Sequence, residues 1–399
     1  GVSGKAVTLG FEPQFIITKR TDSASHWFIQ DIMRGLPNSG SSFYLKANDS
    51  SADTDGGLPT IIPTATGFTL PASGGWNTNG SPYIYIAIRR PMKTPEAGTE
   101  VYNAITRTGN STVTDLACGF APDILFTQST DSSGLGPSAW DRLRGVNKYL
   151  NQNSTGAEGT TTNAVTAFGN TGVTLGIDNN YLGVNKSPYV YINWMFKRAP
   201  GFMDVVCYSG TGVAKTEAHN LGVVPELMII RPRSASAAWR TYVSTIGATW
   251  QLAVNETSAA ENINSWNSTA PTASVFSVSG GLVTNGATFV AYLFATLAGV
   301  SKVGSYTGTG ANLNVDCGFS AGARFILIKR TDASGDWYVW DSVRGIAAGN
   351  DPYLLLNGTA AEVTNTDYID PLSSGFTVTS SAPAALNASG GTYIFLAIA

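Results

Sequence analysis

Six residues, Trp340-Asp341-Ser342-Val343-Arg344-Gly345, constrain this chain more than any other stretch because they occur again. They recur as Trp140-Asp141-Arg142-Leu143-Arg144-Gly145 and, with the first position changed, as Gln30-Asp31-Ile32-Met33-Arg34-Gly35. The flanking residues recur with them at a spacing of about 100 residues, too long for a solenoid or propeller repeat and right for a whole β-sandwich. The chain therefore reads as all-β, with four tandem antiparallel β-sandwich, jelly-roll-like domains. Their expected bounds are 1–92, 93–199, 200–299 and 300–399, the third being divergent.

Each unit runs through the same order of elements. A short strand ending in a Gly-rich turn opens the last copy as Val303-Gly304-Ser305-Tyr306-Thr307-Gly308, with counterparts at Val205 and, degraded, at Tyr102. The first copy lacks this opening strand, which leaves an edge unpaired and predicts that sequence upstream of Gly1 belongs to that domain. Next comes a continuous apolar run, Phe15-Ile16-Ile17, Ile124-Leu125-Phe126, Leu227-Met228-Ile229-Ile230 and Phe325-Ile326-Leu327-Ile328. Such runs predict strands buried on both faces. A polar turn, a Trp-bearing strand, the Asp-x-x-Arg-Gly element and a short strand follow. A polar segment then differs between copies (residues 48–57, 151–162 and 255–267), the usual place for binding specificity on a constant scaffold. A Gly-Phe-Thr strand and an aromatic final strand, such as Tyr393-Ile394-Phe395-Leu396-Ala397, close the unit. The short linkers, two of them containing Pro, predict a fixed orientation between neighbours.

Composition fits this plan. The 44 Gly, with abundant Ser, Thr and Asn, supply the turns that many short strands need, and 43% hydrophobic against 13% charged residues leaves ample core material. A net charge of −3 without a Lys/Arg cluster argues against a nucleic-acid partner. No apolar run approaches the length of about 20 residues that a spanning helix needs, which argues against membrane insertion. Cys118, Cys207 and Cys317 lie in different copies, the first and last both in Cys-Gly-Phe, so they read as small buried hydrophobes rather than a disulfide framework or a metal knuckle.

No catalytic residues, metal site or cofactor are assigned. Asp31 with Arg34, Asp141 with Arg144 and Asp341 with Arg344, beside Trp140 and Trp340, are expected to be structural. Their i, i+3 spacing lets a carboxylate and a guanidinium meet across one turn and pin a chain reversal. Three copies of one active site on an array are less economical than three copies of a clamp, and copy three dispenses with it at Tyr242-Val243-Ser244-Thr245-Ile246-Gly247. His26 and His219, the sole histidines, sit at unrelated places without a nucleophile or metal motif. Asp49, Asp53 and Asp55 at a Gly turn are the candidate cation ligands, although Ser51 and Ile62 stand where an EF-hand needs acids. Trp76 and Trp266, in Asn- and Gly-rich surroundings, are the candidate ligand-binding aromatics, set against a fold-back onto their own sandwich edge.

The unit pattern, carried best by Val303 to Gly310, Phe325 to Arg330, Trp337, Trp340 to Gly345, Gly375-Phe376 and Tyr393 to Ala399, resembles a repeated β-domain of tail fibres and other virion-surface proteins of tailed bacteriophages, especially phages of marine bacteria. The resemblance spans nearly the whole chain, with copy three departing at the Asp-Arg element. It implies a non-enzymatic structural virion protein, a tail fibre or tail-associated adhesin. Its implied partners are other tail proteins and a host cell-surface glycan or protein met through the variable loops, and its implied state is a homotrimer. A polysaccharide depolymerase tailspike with its site between domains or subunits, and a purely structural spacer or virion decoration protein, are the alternatives.

Overall fold

The computed structural model describes residues 4–36, 41–59, 61–71, 75–178 and 182–399. The chain is all-β, and among those residues the one α-helix is the single turn Ala384–Asn387. Strands gather into four pairs of antiparallel sheets, each pair drawn from one contiguous stretch and called here units 1 to 4. In unit 4 the large sheet runs, in spatial order, Ser301–Thr307 (opening), Thr392–Ile398 (final), Phe325–Arg330 (central), Trp337–Asp341 (tryptophan strand) and Leu354–Leu355. The small sheet is Leu313–Asp316, Gly375–Val378 and Ile369–Leu372. Unit 2 repeats this with Tyr102–Thr108, Val190–Phe196, Ile124–Ser129, Ser138–Asp141 and Lys148–Asn151, adding a sixth strand, Gly159–Thr160, at the end, and unit 3 with Met203–Ser209, Thr288–Phe294, Leu227–Pro232, Arg240–Val243 and Leu252–Ala253.

Because side chains alternate across a strand, an apolar run offers both faces of its sheet to burial. Ile326 and Ile328 of the unit 4 central strand point into that unit's own sandwich, with Val315, Phe376 and Val378 of the small sheet. Phe325 and Leu327 point the other way, into a second core that units 2, 3 and 4 build together. Ile124 of unit 2 and Leu227 and Ile229 of unit 3 enter the same shared core. The runs are continuous because there are two cores to fill.

Three seams close units 2, 3 and 4 into a ring around the shared core. The backbone N–H of Glu158 donates to Arg233 O at 2.8 Å, Ala260 N–H to Thr331 O at 2.8 Å, and Glu362 N–H to Thr130 O at 2.7 Å. These three bonds join unit 2 to 3, 3 to 4 and 4 back to 2. Trp239 Nε1 donates to Asn151 O at 2.9 Å and Trp337 Nε1 to Ala253 O at 2.8 Å. At the third seam Gln128 Nε2 donates to Leu355 O at 3.3 Å. The segments that vary between copies, residues 151–162 and 255–267, thus supply seam atoms in units 2 and 3.

Unit 1 stands outside the ring. Its large sheet runs Thr54–Pro59, Ser41–Lys46, Phe28–Asp31, Pro13–Arg20 and Tyr83–Arg89, so among the described residues the final strand, Tyr83–Arg89, is an edge with no opening strand beside it.

Candidate functional site

The Asp-x-x-Arg-Gly element begins on the last residue of the tryptophan strand, where the chain turns out of the sheet. Asp141 Oδ1 accepts the Arg144 backbone N–H at 2.8 Å, and the same bond in units 1 and 4 measures 2.8 Å and 3.0 Å. The arginine Nε donates to the other carboxylate oxygen, at 2.6 Å for Arg34–Asp31 and for Arg344–Asp341. Its Nη2 reaches back to a strand carbonyl, Ala139 O at 2.9 Å or Val339 O at 3.1 Å. Gly35, Gly145, Gly247 and Gly345 follow with φ of 105°, 92°, 86° and 131°, a region that side chains disfavour, so all four copies keep glycine there. In all three copies that carry the motif, the carboxylate and the guanidinium meet across the turn.

In the ring it is also a seam element. Tyr292 of unit 3 donates its hydroxyl to Asp141 Oδ2 at 2.7 Å, and Trp194 of unit 2 donates Nε1 to Asp341 Oδ2 at 2.9 Å. Arg144 and Asp141 are wholly buried, and Glu158 lies 3.3 Å from the guanidinium. Burial opposes the Arg144 charge, yet Asp141, Tyr292 and Glu158 more than offset it and its pKa is raised.

The sheet registers show why unit 3 manages without the motif. Asp141 lies opposite Ile124, Asp341 opposite Phe325, and Val243 opposite Leu227, so Val243 holds the aspartate position. Trp194, Tyr292 and Leu396 likewise share a register position, opposite Phe126, Ile229 and Leu327. The seam that loses its carboxylate therefore also loses its donor: Val243 and Leu396 are both in the shared core, with Ile246, at the arginine position, packed against it. A buried ion pair and an apolar set are interchangeable solutions to one interface.

The remaining candidates are not brought together. Trp76 is buried against Phe28 and Tyr44, and Trp266 is buried against Tyr242 with its Nε1 donating to Trp250 O at 2.9 Å. Neither ring faces solvent, which corrects their reading as ligand-binding aromatics. Asp49 lies 3.5 Å from Lys46 and Asp53 3.2 Å from Arg34, while the side chain of Asp55 lies outside the described residues. Among the described residues no three His, Cys, Asp or Glu side chains gather to hold a metal ion. His219 sits between Thr272 O and the Leu221 N–H, and burial lowers its pKa. Trp140 and Trp340 fill the cores of their own sandwiches. The three cysteines are free, and burial pushes the Cys207 and Cys317 thiols up to about 12.

One constellation escaped the sequence reading. Glu12 of unit 1, Arg90 and Arg198 of the linkers and Asp204 of unit 3 form a buried network: Arg198 binds both Glu12 oxygens and places Nε 2.9 Å from Asp204, while Arg90 Nη2 lies 3.1 Å from Asp204. Burial works against the Asp204 charge, but Arg198 and Arg90 outweigh it and lower its pKa. The network fixes unit 1 to the ring, beside a hydrogen bond of 3.0 Å from Asn220 Nδ2 to Ala65 O. Its signal in the sequence is an arginine just ahead of the proline in each Pro-containing linker, Arg90-Pro91 and Arg198-Ala199-Pro200. No helix among the described residues is long and apolar enough to cross a membrane.

A family model described as "Domain of unknown function (DUF7483)" matches residues 2–91 and 97–399. No curated protein matches the chain.

Proposed function

The chain belongs to the DUF7483 family, and we propose that it is a structural protein of a tailed-bacteriophage virion, a tail fibre or tail-associated adhesin on the particle surface that meets the host cell. The observation that carries this reading is the fourfold repeat of a unit resembling the tail-fibre β-domain. Its partners are other tail proteins and a host surface glycan or protein, and it works as a homotrimer. Chemistry is assigned to no residue, because the recurring carboxylates are spent on clamps and seams. Immunogold labelling of purified particles with antibody to this chain tests the placement, and particles that bind no gold overturn it.

The spacer alternative is favoured by a specific observation: the variable segments of the ring supply seam atoms, which leaves less of them to meet a receptor. Binding of the labelled chain to host cells separates the two roles, since an adhesin binds and a spacer does not. Oligosaccharide released from host capsule or lipopolysaccharide by the purified chain would replace both readings with the depolymerase.

A further inference from the structure

Unit 1 keeps the face that units 2, 3 and 4 use to close their ring, and in unit 1 no described residue covers it. Along the final strand Ile84, Ile86 and Ile88 lie opposite Lys19, Ile17 and Phe15. The same register positions carry Ile192, Trp194 and Phe196 in unit 2, Val290, Tyr292 and Phe294 in unit 3, and Ile394, Leu396 and Ile398 in unit 4. All nine of those side chains are in the shared core. Ile86 is 59% exposed where Trp194 is 1% exposed. Three alternate isoleucines bared on one face make an apolar stripe of the kind that marks an interaction site.

The seam apparatus is kept as well. Trp27 holds the place of Trp239 and Trp337, and its backbone N–H is tied to Asn48 Oδ1 at 2.9 Å as theirs are to Asn255 and Asn357 at 2.8 Å and 2.9 Å. Lys46 holds the place of Ala253, whose carbonyl receives the Trp337 indole across a seam. The Asp31–Arg34 clamp is present, with Arg34 extending to Asp53 as Arg144 extends to Glu158.

We propose that three copies of this chain associate through their first units, closing a second ring in which the Ile84, Ile86 and Ile88 faces meet and each Trp27 indole donates to Lys46 O of the next copy. The occupant of the face is thus two further copies of unit 1, because in units 2, 3 and 4 the equivalent face is covered by the same face of the neighbouring repeats. The proposal deepens the trimeric reading above by naming its surface. Association is read by mass and host contact by cell binding, so either can fail alone.

Sedimentation equilibrium of the purified chain tests it. The expected mass is three times the 41.8 kDa of one chain. Ile86→Glu, which sets a carboxylate against Asp31 of the next copy, is expected to return the single-chain mass with the far-ultraviolet spectrum and the melting of the ring unchanged. Ile86→Trp restores the donor that Trp194 gives Asp341, and is expected to hold the trimer to lower concentration than the parent. A parent chain that stays at single or double mass overturns the proposal and leaves the face to another partner. A triple mass that survives both Ile86→Glu and Ile88→Glu overturns it too, by placing the contact elsewhere.

Discussion

The same clamp sits in two settings. In unit 1 the Arg34 and Asp31 side chains keep 26% and 18% of their exposure, whereas Arg144 and Asp141 in unit 2 keep none. The hydrogen bonds within the turn are the same, so local sequence builds the clamp, and what differs is the neighbour that unit 3 lends to unit 2. One motif is thereby a turn fastening where it meets water and part of an interface where it does not. Its energetic weight should follow the setting rather than the motif.

The largest effect tests that directly. Arg144→Met strands the Asp141 carboxylate in the shared core and should cost the ring about 3–5 kcal/mol, whereas Arg34→Met should cost unit 1 only about 0–1 kcal/mol. Urea midpoints of the two variants measure the contrast, and equal losses would break the comparison. Next comes Asp341→Ala, which removes the turn's acceptor and the partner of the Trp194 indole, for roughly 1–3 kcal/mol. Importing the unit 3 solution whole, as Asp341→Val with Arg344→Ile and Trp194→Leu, should recover part of what Asp341→Val loses alone. A coupling energy of about 0.5–3 kcal/mol is expected among such touching residues, and a sum that is simply additive would deny that they act as one set.

Acid should separate the two regions. The Asp204 pKa is lowered in the fold, so the stability it lends the junction is present above the ordinary carboxylate range and is lost as pH falls through its folded value. Asp351 of unit 4 behaves oppositely. Burial raises its pKa to about 7 although the Tyr368 and Ile369 N–H groups favour its charged form, so its contribution is present below the ordinary range and is lost as pH rises through about 7. Limited proteolysis across an acid series should release unit 1 before the ring is cut, and Asp351→Asn should flatten the ring's pH profile near neutrality. The smallest effect belongs to Arg330–Asp332, an ion pair at 2.9 Å near the surface that unit 1 repeats as Arg20–Asp22. Asp332→Ala should move the unit 4 midpoint by no more than about 0–1 kcal/mol, since exposed pairs are screened.

Much of this architecture was legible in the residues, and the part that was not is the part made between units. The recurrence of Asp-x-x-Arg-Gly and the uninterrupted runs such as Phe325 to Ile328 announced repeated strands buried on both faces. A strand's own sequence says that two faces are apolar but not what covers the second, so the shared core stayed hidden. The segments 151–162 and 255–267 looked like binding loops because they vary and are polar. Residues of both also supply atoms to the seams, a role that polarity and variation do not announce. Trp76 and Trp266 lay in polar, Gly-rich or Asn-rich stretches, which hid that their rings fold inward. Val243 and Ile246 were visible as departures from the motif, but their meaning required Leu396, more than a unit away in the chain, to be seen beside them.

Joining units 2, 3 and 4 on one polypeptide has a consequence beyond rigidity. An assembly of separate subunits comes apart on dilution, because each contact must be remade by collision, whereas tethered units meet at an effective concentration fixed by their short linkers. The ring of units 2 to 4 is thus indifferent to how much protein is present. Tethering also frees the three faces from identity. A change in a symmetric trimer is imposed on every interface at once, but here Asp141 with Tyr292, Asp341 with Trp194, and Val243 with Leu396 could each settle separately. Three unlike joints stand on one repeated unit.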